Sequence, residues 1–440
     1  VAEQYPIRGR RASAIAASIE RAIREHRLGA GEALPTVRAL ATRLRVSPAT
    51  VASAYRTLRL RGLLAAHRRA GTMVSMRPPL VTRPAAPLPS GARDLATGNP
   101  DPALLPRLTD ALARVERRPH LYGEPRARAE LLVLATRQLA FEGIVAPALT
   151  VVGGALDGVE RVLQAHLRPG DRIAVEDPGY PGVLDLVHAL ALVPEPVRLD
   201  DRGPLPESLA RALARGVAAC VITPRAQNPT GAALDADRAG ELRALLARHP
   251  GVLVVEDDHA GPIAGAPALT LGAEDRSPWA LVRSVSKSLG PDLRLAIVAA
   301  DATTVARVEG RLALGMGWVS HILQTAVVQL WSDARTRRAL AAAADTYTAR
   351  RTALIGALAT HGIAAHGRSG LNVWIPVVEE VAPVRALLDA GWAISAGERF
   401  RIQSPPAVRI SVGQLSLAEV PRLAAVLASS LAPARHTRPA

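Results

Sequence analysis

Lys287 is the only lysine in 440 residues, and the other fifty-three Lys/Arg positions are all arginine. It lies in Ser284-Val285-Ser286-Lys287-Ser288-Leu289-Gly290, with two serines before it, one after it, and Arg294 seven residues further on. Arginine stays protonated under physiological conditions, whereas an ε-amine can lose its proton and attack an aldehyde to make a Schiff base. A chain that uses arginine for every plain positive charge and keeps one lysine among hydroxyls points to amine chemistry at that position. Serines and an arginine beside such an amine suit a phosphate. The stretch reads as a site for a phosphorylated aldehyde, and pyridoxal phosphate is the cofactor of that description.

Four other stretches gain meaning beside this lysine. Gly153-Gly154-Ala155-Leu156 closes an apolar run and opens a helical one, whose free backbone N–H groups suit a phosphate. Glu176-Asp177-Pro178-Gly179-Tyr180-Pro181 presents an aromatic ring on a loop; Tyr180 either stacks on a flat heteroaromatic or belongs to the core. In Thr223-Pro224-Arg225-Ala226-Gln227-Asn228-Pro229-Thr230-Gly231, Asn228 can donate to a phenolate oxygen. Val254-Val255-Glu256-Asp257-Asp258-His259 ends an apolar run in carboxylates. An acid there can pair with a protonated ring nitrogen and keep a pyridine an electron sink. A surface acid pair is the competing reading, which the convergence of strand-end sites with a lone lysine disfavours.

The elements that must position these residues are short strands alternating with helices. Strands are expected at 150–152, 172–175, 218–222, 252–255, 281–285 and 296–299, and helices at 156–167, 235–248 and 301–314. Such alternation predicts an α/β domain with a mostly parallel sheet covered on both sides, assigned to 92–338. Residues 339–432 read as a smaller α+β subdomain that opens on a long helix.

The N-terminal part has another texture. Residues 1–76 hold 14 arginines against four glutamates, an excess of +10 out of the chain's +15, which suits a polyanion partner. Helical spacing is expected over 12–27, 36–44 and 49–60. Ser47 can cap the third helix, with Pro48 at its first position. A basic tip at His67-Arg68-Arg69 and a return strand at 71–74 complete a winged helix-turn-helix, whose second helix of the pair would enter a major groove. Residues 77–91 hold five prolines and read as a semi-stiff linker. Cys220 is alone, so no internal disulfide is possible, and no apolar run reaches membrane-spanning length; a cytoplasmic location is expected.

The N-terminal strings Leu34-Pro35-Thr36-Val37-Arg38-Ala39-Leu40-Ala41 and Ser47-Pro48-Ala49-Thr50-Val51 resemble the GntR family of bacterial regulators. Tyr122-Gly123-Glu124-Pro125, the Gly154 turn, Pro178-Gly179-Tyr180, Asn228-Pro229-Thr230-Gly231, Asp257, Lys287 and Arg294 follow in an order that resembles the fold-type I aminotransferases. The whole chain thus looks like the MocR subgroup of GntR-family regulators. The resemblance implies that Lys287 binds pyridoxal phosphate, Asp257 pairs the ring nitrogen, Asn228 bonds the ring oxygen and Tyr180 stacks. It implies that Gly154, Ala155, Leu156, Ser284, Ser286 and Arg294 hold the phosphate, and that Tyr122 reaches in from the partner of a homodimer. Arg409 matches the arginine that clamps a substrate carboxylate. Arg38, Ser47, Thr50, Arg68 and Arg69 become the candidates for contact with double-stranded DNA.

Two positions depart from the family pattern. Pro48 stands where an arginine is common, so one base contact is missing. His259 stands where a tyrosine is usual near the ring oxygen; its imidazole titrates near neutrality and tunes the site differently, or else it points away and is structural. The expected function is a DNA-binding regulator whose aminotransferase-like domain senses pyridoxal phosphate or an amine or amino-acid effector. The alternative is a working aminotransferase with an appended DNA-binding domain.

Overall fold

The computed structural model describes residues 7–25, 27–29, 31–60, 63–67, 71–74, 88–89, 91–115, 119–272 and 278–431. Arg68, Arg69 and most of the Pro-rich segment lie outside them.

The N-terminal unit contains α1 (Ala12–Arg24), α2 (Val37–Leu44) and α3 (Pro48–Leu60), followed by the hairpin strands β1 (Leu64–His67) and β2 (Gly71–Val74). The apolar faces of the three helices close one small core: Ile15, Ile19, Leu40, Val51, Tyr55 and Leu58 are fully buried. Helix α2 ends because Arg45 takes a left-handed conformation, φ 54°. Ser47 then starts α3, its Oγ accepting from Thr50 N–H at 3.1 Å. Pro48 costs nothing at this first helical position, where no N–H partner exists. The Tyr55 hydroxyl donates to the Pro35 carbonyl at 2.7 Å, pinning α3 to the start of α2.

The larger unit begins with the short strand β3 (Arg93–Asp94), then α4 (Leu108–Ala113) and α5 (Ala129–Phe141). Strand and helix then alternate: β4 (Ala148–Val152), α6 (Ala155–His166), β5 (Arg172–Asp177), α7 (Pro181–Ala189), β6 (Val193–Asp200), β7 (Gly203–Pro204), α8 (Pro206–Ala214), β8 (Ala219–Ile222), α9 (Ala236–Ala247) and β9 (Leu253–Asp258). After them come β10 (Trp279–Ser284), β11 (Ala296–Ala300), α10 (Ala302–Ala313), α11 (His321–Ser332) and α12 (Ala334–Thr360). The sheet order is β4-β11-β10-β9-β8-β5-β6-β7. Pairings β8–β9 and β9–β10 are parallel. Strand β11 runs against both β10 and β4, so β4 points the same way as β8, β9 and β10. The loops that leave these four strands therefore gather at one edge of the sheet, where ligands of open α/β sheets bind.

The C-terminal part holds β12 (Asn372–Pro376), α13 (Val381–Asp389), β13 (Trp392–Ala393), β14 (Ser395–Ala396), β15 (Ala407–Ser411) and α14 (Val420–Leu431). Strands β12, β15 and β14 form an antiparallel sheet over a core that includes Leu354, Leu358, Val373, Ile410 and Leu423. Two features depart from the expected layout. The long helix starts at Ala334, so position 339 lies inside a continuous 27-residue helix. Strand β3 pairs in parallel with β13, so the first residues after the Pro-rich segment join the C-terminal part. Local periodicity carries no signal for a pairing between residues 93 and 392.

Candidate functional site

Lys287 sits in the connection between β10 and β11, and its Nζ donates to the Gly98 carbonyl at 2.7 Å. Burial and the charge of Arg409 push its amine down to about 8. That raises the share of nucleophilic, unprotonated amine at neutral pH.

Strand β9 sorts its terminal carboxylates by alternation, since successive side chains point to opposite faces. Glu256 and Asp258 fall on one side. Glu256 accepts from Trp279 Nε1 at 2.6 Å and Leu271 N at 2.8 Å. Asp258 accepts from Arg225 Nε at 3.0 Å and Arg283 Nε at 2.8 Å, and Glu142 also pairs with both arginines. Against a burial that favours the neutral acid, the Arg283 and Arg225 charges hold Asp258 well below the usual carboxylate range. Asp257 falls on the other side. It is buried, and its Oδ1 has no hydrogen-bond partner among the described residues. Burial, then the charges of Asp258 and Glu176, push its carboxyl up to about 7.

Asn228 accepts from Arg409 Nη1 at 2.9 Å through Oδ1, which leaves its amide donors free. Arg409, on β15, is buried; its Nη2 also donates to the Ala96 carbonyl and to Ser395 Oγ, the latter at 3.3 Å. Its guanidinium lies 4.8 Å over the Phe400 ring, and burial lowers it to about 10. Tyr180 is 42% exposed, and burial of its hydroxyl and the charge of Asp257 raise its pKa while Arg409 and Arg294 lower it. Tyr180 is thus within electrostatic reach of the acid and both arginines.

Gly154 ends the turn after β4 at φ +115°, and a Cβ there would lie 3.1 Å from Arg294 Nη2. That φ favours glycine, and a side chain there would also crowd the guanidinium at the N-terminus of α6. Ala155 and Leu156 open that helix, where the first N–H groups have no intrahelical partner and Gly154 supplies no side-chain cap. Ser284 Oγ donates to Ser286 Oγ at 3.1 Å and accepts from Ser286 N–H at 3.1 Å.

His259 Nε2 donates to the Ala226 carbonyl at 2.9 Å. Burial and the Lys287 charge push the imidazole down to about 4, so it is neutral, with its proton on Nε2. The ring thus braces the loop that carries Asn228. Tyr122 is not brought into the site within one chain: it is 93% exposed and meets Trp318 edge-on at 5.4 Å. In the N-terminal unit Arg38 is exposed on α2, and Ser47 Oγ lies 2.8 Å from Thr50 Oγ1.

Sequence reasoning missed the frame behind these groups. Gln227 is fully buried and braces the loop: Nε2 donates to Glu176 Oε2 at 3.0 Å and to the Pro178 carbonyl at 2.9 Å, while Oε1 accepts from Thr230 N at 2.9 Å. Asp177 accepts from the amides of Ile402, Gln403 and Ser404, tying the end of β5 to a C-terminal loop. Buried polar residues inside the quoted motifs were the available signal; the carbonyls of Ala96 and Gly98 gave none.

Comparison with known proteins completes the assignment. Residues 92–427 match the family described as aminotransferase class I and II, and residues 11–74 match the gntR family of bacterial regulatory proteins. The vitamin B6 salvage pathway transcriptional repressor PtsJ of Salmonella typhimurium is 40% identical over 427 residues, covering 97% of this chain and 99% of that one. The chain belongs to the GntR-family regulators that carry an aminotransferase class I and II domain. The HTH-type regulator TauR of Rhodobacter capsulatus is 30% identical, covering 78% of each chain. The HTH-type pyridoxine biosynthesis transcriptional regulator PdxR of Corynebacterium glutamicum is 28% identical, covering 76% of each. Among solved structures, a kynurenine aminotransferase of Pyrococcus horikoshii superposes with a TM-score of 0.70 at 21% identity, covering 78% of this chain and 91% of that one, which shows the shared fold. This GntR-family regulator has no described helix long and apolar enough to cross a membrane.

Proposed function

We propose that this transcriptional regulator binds pyridoxal phosphate through Lys287 and uses the occupied site to sense either the cofactor itself or an amine or amino acid presented to it. The observation that carries the reading is Asp257: a buried carboxylate whose Oδ1 has no partner among the described residues, in a site whose amine is the chain's sole lysine. A buried acceptor without a partner is costly, and a protonated ring nitrogen is the donor that would satisfy it. Gly154 and Arg294 leave a cradle that a Cβ would crowd, and Ser284, Ser286 and the first amides of α6 add phosphate donors. These residues fit the cofactor.

In this reading Lys287 would anchor the cofactor, Asp257 would hold its ring-nitrogen proton, Asn228 would donate to its ring oxygen and Tyr180 would cover a ring face. Arg409 receives an effector carboxylate. When bound, the cofactor supplies an aldehyde carbon reactive to amines and an electron-withdrawing ring. His259, neutral and donating to Ala226, positions the Asn228 loop. The name of the PtsJ relative supports vitamin B6 as the signal and repression as the response.

The N-terminal unit would engage double-stranded DNA through α2, α3 and the wing, with Arg38, Thr50, Arg68 and Arg69 as contacts; a cytoplasmic location follows. Ser47 serves first as the α3 cap. Homodimer formation is supported by the exposed apolar edge of Leu121, Tyr122, Met316 and Ile322. Met316 Sδ lies 3.6 Å from the position a Cβ on Gly153 would take, so this edge borders the phosphate cradle.

An absorbance titration of the full chain with pyridoxal phosphate, then with amines and amino acids, tests the reading. A long-wavelength band should form in the wild type and fail in Lys287→Ala, then shift with one amine and stop. Conversion to the amine form of the cofactor, with recovery on adding a keto acid, would establish a working aminotransferase instead.

A further inference from the structure

The chain segment that leads out of the Pro-rich stretch crosses the site just described. Strand β3 is followed by Leu95-Ala96-Thr97-Gly98-Asn99-Pro100-Asp101. Its two ends are fastened. Leu95 N–H donates to the Ala393 carbonyl at 2.9 Å, and the Leu95 carbonyl accepts from Ser411 N–H at 2.9 Å. At the far end Asp101 N–H donates to the Tyr347 hydroxyl at 3.0 Å, and the Asp101 carboxylate accepts from Arg350 at 2.9 Å. Between these points the segment's carbonyls are held by the site's two cations, and Ser395 Oγ also donates to the Ala96 carbonyl at 2.8 Å. Arg409 Nη2 donates to Ala96, and Lys287 Nζ donates to Gly98. Gly98 has φ +69°, and a Cβ on it would lie 3.7 Å from both terminal nitrogens of Arg409.

We propose that residues 95–101 form a strap that reports site occupancy, because its carbonyls and the ligand compete for the same donors on Lys287 and Arg409. The inference rests on the proposed cofactor reading for the identity of the ligand. Condensation of the Lys287 amine with an aldehyde forms C=N, releases water and removes two of the three N–H bonds of the ammonium. A carboxylate arriving at Arg409 is a stronger acceptor than the neutral carbonyl of Ala96. Either event withdraws a bond from the middle of the strap while its ends stay fastened. By chain order the strap immediately follows β3, which itself follows the Pro-rich segment.

Hydrogen–deuterium exchange on the full-length protein tests this. The Ala96 and Thr97 amides, both bonded to Asp94 Oδ1 at 2.8 and 2.9 Å, report the strap, while amides of β9 and β10 serve as the folding control. Saturating pyridoxal phosphate should speed strap exchange about ten-fold, the scale of one charge-assisted hydrogen bond. Lys287→Met should show the same fast exchange with no cofactor present. Lys287→Arg, which keeps a cationic donor but cannot form the imine, should stay slow with or without cofactor. Equal strap exchange in wild type and Lys287→Met overturns the proposal, as does unchanged exchange in wild type once its absorbance band has formed. If no band forms while Lys287→Met still loosens the strap, the cofactor reading falls and the strap stands.

Discussion

Two side chains decide the chemistry at the residue scale. With a pKa of about 8, Lys287 is about a quarter unprotonated at pH 7.5, against about a thousandth for an ordinary lysine. The rate of cofactor capture should therefore rise with pH and level off above about 8, read by stopped-flow absorbance; a rise that continues beyond pH 10 would mean an unshifted amine. Asp257 is neutral or ionised in near-equal measure around pH 7 in the free protein. Asp257→Asn removes the charge that holds a ring-nitrogen proton, and cofactor affinity should fall at least about ten-fold in equilibrium titration. The roles proposed for Lys287, Asp257 and Asn228 were legible in residue type and motif order. That His259 serves the Ala226 carbonyl was not, because a ring's hydrogen-bond partner 33 positions away leaves no trace in periodicity.

At the scale of elements, the strands and helices that were expected lie within a few residues of those found, because apolar runs and 3.6-residue spacing are local properties, whereas β6 of the same sheet was not expected. The ends of β9 show where that legibility stops. Alternation separates Asp257 from Asp258, yet only the fold reveals that Arg225, Arg283 and Glu142 close around Asp258. Asp258 and the two arginines are buried, Glu142 balances the charge, and removing one cation leaves an excess anion inside the protein. Arg283→Met should destabilise the domain by about 3 kcal/mol or more, measured by urea unfolding without cofactor. In the N-terminal unit Ser47→Ala removes the α3 cap and should cost about 1 kcal/mol in the same assay. A larger DNA-binding defect than that loss explains would assign Ser47 a contact of its own.

For the whole molecule, the sequence marked two units by charge and texture, but not that β3 reaches the C-terminal part or that α12 runs unbroken through position 339. Both depend on contacts between residues far apart in the chain. The exposed edge around Tyr122 carries the prediction at this scale: sedimentation should show a dimer, and Leu121→Asp with Ile322→Asp should shift it to monomer. A wild-type monomer would leave that edge for another partner. One last consequence concerns fidelity. Aldehydes label amines indiscriminately, and most proteins of this size would scatter such a reagent over many surface lysines. Here every other Lys/Arg position is arginine, and the lone ε-amine is half-buried and bonded to the strap's Gly98 carbonyl. A detector built this way has almost no background: each aldehyde its side chains capture is a count at the one address where it carries information.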